Sequence, residues 1–212
     1  MENNKLFAKV YGWMFVGLLI SFMTGYLVSA NENMVFNISK SYIIIVLVEM
    51  GLCIWLSAGI RKMQKSTAQI LYLLYTFFTG LTFSVIFYLL KLSSIMMVFG
   101  ITALAFGIMA IIGTIIKIDL SKIGNILLMG LIAIILASII NIFINSEIFD
   151  LGITIIGIVI FMIYIAFDVA KIKRTAEYLE EDKASILCAF ELYLDFINIF
   201  IKLLRLFGKR KD

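Results

Sequence analysis

Residues 123–144 read IGNILLMGLIAIILASIINIFI, a run with no charged side chain. A helix that crosses the hydrocarbon core of a bilayer needs about 20 mostly apolar residues, and this run is long enough. Further apolar stretches of comparable length cover residues 10–30, 41–60, 67–90, 92–116, 151–170 and 184–207. The pattern predicts an all-α polytopic membrane protein with seven transmembrane helices in a single membrane domain, residues 1–212.

The composition supports this class of protein. Hydrophobic residues make up 63% of the chain and charged residues 15%, against about 45–50% and 25% in soluble domains. These values exclude a soluble enzyme, a secreted disulfide scaffold and a disordered chain. The sequence contains no histidine, which excludes imidazole metal sites, histidine general bases and Ser-His-Asp triads.

Basic residues lie in short clusters between the apolar stretches, so the net charge of +4 does not indicate nucleic-acid binding. One set of alternate connections holds Lys5, Lys9, Arg61, Lys62, Lys65, Lys117, Lys122, Lys171, Lys173, Arg174 and Lys183, whereas the opposite loops hold Lys40 and Lys91. The positive-inside rule therefore predicts a cytoplasmic N-terminus. Seven crossings leave the basic tail, residues 209–211, outside; a re-entrant last segment would return it inside.

The last apolar stretch carries a polar stripe. Its members recur at steps of 4, 3, 4 and 3, which places them on one helix face: Glu191, Asp195, Asn198, Lys202 and Arg205. A helix that is apolar elsewhere fits the centre of a bundle, with the stripe facing a pocket or an ion pathway. The alternative is an amphipathic helix that lies on the membrane surface.

Three other ionisable residues belong to the predicted spans. Asp168 and Arg61 end their helices near the cytoplasmic side, and Glu49 lies about 18 Å before Arg61, near the membrane midplane. Charged groups at such depth are costly and by default mark a functional pathway, although Arg61 alone also fits a boundary residue. Two carboxyl groups held close together in a low dielectric titrate as a coupled pair. The physics therefore favours a pH-sensitive cytoplasmic gate, in which Arg61 latches an ionised pair and protonation weakens the latch.

Two segments resemble the paired signatures of the Bax inhibitor motif family: FMIYIAFD at residues 161–168 and AFELYLDFINIF at residues 189–200. The chain is similar in length and segment count to small bacterial members that act as pH-sensitive calcium leak channels. The resemblance implies six helices around a central seventh, a pH-sensing dyad of Asp168 and Asp195, an Arg61 latch and a mid-membrane acid, Glu49.

The expected function is a calcium leak, with Glu191 and Asn198 of the stripe in the ion pathway. Asp168 and Asp195 would contact calcium as the transported ion, without a resident cofactor. Expected partners are the lipid bilayer, calcium ions and protons. A compact, Ile/Lys/Asn-rich chain leads us to expect a bacterial plasma membrane.

Two alternatives use the same carboxylates. A proton-coupled cation exchanger is indistinguishable from a passive leak by sequence. An intramembrane aspartyl protease also needs two aspartates on membrane helices, but such enzymes have a Gly-x-Gly-Asp turn where this chain has Tyr193-Leu194-Asp195. We therefore expect no enzymatic activity. The glycines at 100, 107 and 113 are expected to let a neighbouring helix approach closely.

Overall fold

The computed structural model of the protein describes residues 2–116 and 120–211. The described residues form eight helices: α1 (Glu2–Ser29), α2 (Glu32–Lys40), α3 (Tyr42–Gly59), α4 (Lys65–Leu89), α5 (Leu92–Ile115), α6 (Leu120–Ile144), α7 (Glu147–Tyr178) and α8 (Glu181–Phe207). All of them except α2 are long and apolar enough to cross a membrane. The predicted all-α polytopic architecture with seven spans is confirmed. Lys117, one of the basic residues counted for the orientation, lies outside the described residues.

The short helix α2 was not expected from the apolar runs. The side chain of Asn31 caps its first turn by accepting a hydrogen bond from the backbone N–H of Met34 at 3.1 Å, as N-cap residues do. Glu32 in the first turn and Lys40 in the last turn complement the helix dipole. Val35 is buried, whereas Met34 and Phe36 remain exposed. The predicted loop between the first two spans is therefore an amphipathic helix.

The last two helices differ from their predicted bounds. The sixth predicted span, 151–170, is the middle of a 32-residue helix that ends at Tyr178. The predicted connection of residues 171–183 shrinks to 179–180, since α8 begins at Glu181. Asp168 consequently lies nearly three turns before the end of α7 rather than in its last turn.

The eighth helix is the most buried of the seven spans. In its most apolar window 72% of the residues are buried, against 50% in α4 and 28% or less in the others. Such burial excludes a helix that lies on the membrane surface. The arrangement of six helices around a central seventh stays a prediction.

The chain groups into two compact units. The first contains Met1–Leu92, Ile172–Tyr193 and Lys209–Asp212, and the second contains Ser93–Lys171 and Leu194–Gly208. The expectation of one membrane domain stays a prediction.

In the first unit α4 packs against α1, α2 and α3. A Cβ atom built on Gly80 would lie 2.6 Å from the Cβ of Thr24 and 2.8 Å from the carbonyl oxygen of Ser21. A Cβ on Gly17 would collide with the side chain of Tyr72. The missing side chains at Gly17 and Gly80 thus let α1 and α4 approach closely, which is how membrane helices gain contact without a hydrophobic driving force.

The first unit also shows which helix ends share a membrane face. Lys9 at the start of α1 and Lys65 at the start of α4 bind the carboxylate of Asp182, in the first turn of α8, at 2.8 and 2.6 Å. We call this side the N-terminal face. The predicted placement of these three segments on one side agrees with this network.

The basic tail lies on the opposite face. The backbone N–H of Lys91 donates to the carbonyl of Lys209 at 2.8 Å, and the N–H of Lys211 donates to the carbonyl of Leu89 at 2.9 Å. These bonds form an isolated antiparallel bridge between Leu90 and Arg210. Because α8 begins at the N-terminal face and its tail pairs with the loop after α4, α8 crosses completely rather than re-entering.

In the second unit α7 packs against α5, α6 and α8. A Cβ on Gly113 of α5 would lie 2.5 Å from the carbonyl oxygen of Ala166, and a Cβ on Gly130 of α6 would lie 3.0 Å from Ile160. A Cβ on Gly100 or Gly107 would meet nothing within 4 Å. The expected close approach in α5 is therefore right for Gly113 and wrong for the other two glycines, because only Gly113 faces α7.

Candidate functional site

The second unit brings Asp168 of α7 and Asp195 of α8 together. Each residue is buried, with 5% of its surface exposed, and their carboxyl groups lie close enough to interact directly. An ionised carboxylate can only accept hydrogen bonds, so a hydrogen bond between two carboxyl groups contains one proton. Two carboxyl groups placed in this way can share a proton.

Lys171 completes this site. Its ammonium lies 3.0 Å from Oδ1 of Asp168, one turn further along α7, and 5.5 Å from the centre of the Phe167 ring. The Lys171 side chain is 26% exposed, so its far end is accessible while its charge neutralises a buried carboxylate. We refer to Asp168, Asp195 and Lys171 as the acid-pair cluster.

The polar stripe of α8 faces α7 over three of its positions. Two turns further along α8 than Asp195, the side chain of Lys202 lies against α7 at Gly157, where an added Cβ would lie 2.5 Å from Lys202 Cε. Arg205 forms an ion pair with Asp150 near the start of α7 at 2.9 Å. From Asp195 to Lys202 to Arg205, successive contacts lie further from the N-terminal end of α8 and nearer to the start of α7, as expected for antiparallel helices. The stripe therefore joins α8 to α7.

The two remaining stripe residues have separate surroundings. The Asn198 amide donates to the carbonyl of Leu194 in its own helix at 2.8 Å. Glu191 is half-buried and belongs to the first unit. The place of Glu191 and Asn198 in an ion pathway stays a prediction.

Glu49 occupies a second polar site, in the first unit. The hydroxyl of Thr82 on α4 donates to its carboxylate at 3.1 Å. The neighbouring Thr79 hydroxyl donates to the carbonyl of Tyr75 in its own helix at 3.1 Å. Thr79 in turn contacts the hydroxyl of Tyr193, which lies 2.5 Å from the hydroxyl of Ser21 on α1. Hydroxyl groups from α1, α4 and α8 thus lie together near the half-buried acid.

Arg61 lies exposed in the turn that follows α3. It belongs to the first unit, whereas the acid-pair cluster belongs to the second. Its role as a latch stays a prediction.

The oxygen ligands available for a cation are few. Among residues 2–116 and 120–211, no three His, Cys, Asp or Glu side chains group closely enough to hold a metal ion. Calcium takes six to eight oxygen ligands, so Asp168 and Asp195 alone supply only part of a coordination shell. The pair fits brief contact with a passing, partly hydrated ion better than a resident calcium site.

The residues that sequence reasoning missed are neutral or lie just beyond the predicted end of a helix. Lys171 was counted only as a basic loop residue, although its spacing of three from Asp168 on a continuing helix would have paired them. Thr79, Thr82, Tyr193 and Ser21 have no sequence signal, because hydroxyl residues are common in membrane helices.

Comparison with known proteins gives a consistent result over the whole chain. The family model described as inhibitor of apoptosis-promoting Bax1 matches residues 3–212. A protein of Borreliella burgdorferi is 39% identical, covering 99% of this chain and 94% of its own length. Inner membrane protein YbhL of Escherichia coli K12 is 40% identical, covering 96% of this chain and 91% of its own length. A membrane protein of Streptococcus pyogenes serotype M6 is 32% identical, covering 97% of this chain and 93% of its own length. Seven apolar helices, a buried aspartate pair and relatives matched from end to end place this chain in the Bax inhibitor-like family of membrane proteins.

Proposed function

We propose that this protein is a pH-sensitive calcium leak channel of a bacterial plasma membrane, with its N-terminus in the cytoplasm and the acid-pair cluster as its gate. The observation that carries the proposal is the close placement of the buried carboxyl groups of Asp168 and Asp195. A hydrogen bond between them requires that at least one of the two groups is protonated.

Loss of this proton changes the cluster in two ways. With one proton the pair carries a single negative charge, which Lys171 balances at 3.0 Å. Without the proton, the pair carries two negative charges, and the two carboxylates repel each other in a buried site. The repulsion loosens the contact between α7 and α8, and the charge attracts a hard cation to carboxylate oxygens. We therefore expect calcium flux to rise as pH rises through the titration of the pair.

An arginine latch gives the opposite sign. If Arg61 holds the ionised pair closed, protonation releases the latch and flux rises on acidification. The direction of the pH dependence thus distinguishes the two forms of the gate.

The test is calcium entry into liposomes that contain the purified protein and a trapped fluorescent indicator, measured across a pH series. Asp195→Asn keeps the shape and hydrogen-bonding capacity of the side chain but removes its proton equilibrium, so its flux should not depend on pH. Asp150→Asn is the matched control, because it makes the same chemical change in the partly exposed ion pair with Arg205 and should keep the pH profile. An unchanged pH profile in Asp195→Asn would refute the gate.

A proton-coupled cation exchanger is the second candidate, and the Glu49 site favours it. A single carboxylate held by the hydroxyl of Thr82 can bind a proton and a cation alternately. An imposed pH gradient with equal calcium on both sides drives calcium accumulation by an exchanger and none by a leak. We propose no proteolytic activity, because intramembrane aspartyl proteases have a Gly-x-Gly-Asp turn where this chain has Tyr193-Leu194-Asp195. Cleavage of helical peptides by the purified protein would contradict this.

A further inference from the structure

The short helix α2 and the end of α4 enclose a groove on the face opposite the N-terminal face. Its volume is about 350 Å³, within the range of small-ligand pockets. Val35 and Phe36 of α2 and Val85 and Leu89 of α4 supply apolar walls. Because α2 connects the end of α1 with the start of α3, the groove lies where the hydrocarbon of a bilayer meets its headgroups.

Two ammonium groups lie over aromatic rings that line this groove. Lys40 Nζ is 4.2 Å from the centre of the Phe36 ring, and Lys211 Nζ is 5.7 Å from the centre of the Tyr88 ring. Lys211 also donates to the carbonyl of Phe87 at 3.2 Å. The backbone bonds of the tail to Leu89 and Lys91 hold Lys211 beside the groove, so its position is set by the fold.

The charge at the rim is predominantly positive. Lys40, Arg210 and Lys211 are exposed there, and the one carboxylate that lines the groove, Glu32, is hydrogen-bonded to the Tyr88 hydroxyl. The positive-inside rule does not explain basic residues on this face, since they lie opposite the face that carries most of the loop lysines and arginines. Basic side chains at a membrane interface attract anionic phosphate headgroups.

We propose that the groove between α2 and α4 binds an anionic phospholipid, with an acyl chain against Val35, Phe36, Val85 and Leu89 and the phosphate at the ammonium groups of Lys40 and Lys211. The apolar walls match the chain and the paired cations match the headgroup. The site is separate from the acid-pair cluster, and its occupancy does not depend on calcium transport.

The test is native mass spectrometry of the full chain in detergent, titrated in parallel with phosphatidylglycerol and phosphatidylcholine of identical acyl chains. Each lysine near a membrane surface contributes about 1 kcal/mol, so Lys40→Gln with Lys211→Gln should weaken phosphatidylglycerol binding about thirtyfold. Lys5→Gln with Lys62→Gln is the matched control, because it removes the same charge from exposed positions near the N-terminal face.

The expected result is selective binding of phosphatidylglycerol by the wild type and the control, with loss in the Lys40/Lys211 variant. Equal binding of the two lipids, or equal loss in both variants, would overturn the proposal. Val85→Trp provides an independent arm, because an indole in the groove should displace either lipid without changing the charge. Retained phosphatidylglycerol binding in a folded Val85→Trp protein would exclude the groove as the acyl-chain site.

Discussion

Replacing Lys171 by methionine removes the cation of the acid-pair cluster and keeps the apolar part of the side chain. In the wild type the Lys171 ammonium lies 3.0 Å from the Asp168 carboxylate, which is 7% exposed. Without the Lys171 ammonium, the two negative charges of the fully ionised pair are less well neutralised. Deprotonation then becomes harder, so the rise of calcium flux should move to higher pH.

The size of this displacement follows from the distance. Two unit charges 3.0 Å apart attract by about 1.4 kcal/mol at the dielectric constant of water and by about 5.5 kcal/mol at an effective value of 20. Because the lysine is 26% exposed, solvent screening brings the value towards the lower figure. One pH unit corresponds to about 1.4 kcal/mol. We therefore expect the pH midpoint of calcium flux to rise by at least about one unit.

The assay is the liposome flux series, compared with Lys173→Met. Lys173 is exposed on the same helix, two residues away. Its replacement by methionine changes the net charge by the same amount, so the pH midpoint of that variant should stay near that of the wild type. A midpoint in Lys171→Met that equals the Lys173→Met value, or moves to lower pH, would refute the role of Lys171 in balancing the pair.

Further predictions concern stability. Gly80→Ala should lower the free energy of unfolding in SDS titrations by about 1–3 kcal/mol, whereas Gly51→Ala, where an added Cβ meets nothing within 4 Å, should not; equal effects would contradict the close helix contact. Thr82→Val removes a hydroxyl that donates to Glu49 and should cost about 1–3 kcal/mol. In a double-mutant cycle the loss should disappear when Glu49 is already replaced by leucine, which has no acceptor. Asp182→Asn should lower the melting temperature slightly at low salt, because it breaks two exposed ion pairs, and a loss unchanged at high salt would rule out an electrostatic cause.

Several features of the fold were predictable from local sequence. The seven spans follow from runs of apolar residues such as 123–144, because a bilayer requires a fixed length of apolar helix. The boundaries were less predictable where a helix continues beyond the apolar run. In α7 the residues after Lys171 are polar but helical to Tyr178, since a helix needs no membrane to extend into water.

The functional residues divide in the same way. Asp168, Asp195 and Glu49 stood out because charges are expensive in hydrocarbon. Their partners did not stand out. Lys171 was hidden among loop lysines, and the hydroxyls of Thr79 and Thr82 carry no charge that would draw attention to them.

The sequence by itself therefore determined the class of protein, the number of crossings and the few acids that need an explanation. Only the tertiary structure decided which of those acids meet, that the stripe of α8 faces α7, and that the basic tail lies beside the groove of α2. The physical reason is that hydropathy is a property of each segment alone. Contacts between segments depend on how each helix is rotated and how far it is shifted along its neighbours. Close packing at positions such as Gly80 and Gly113 sets that rotation and shift.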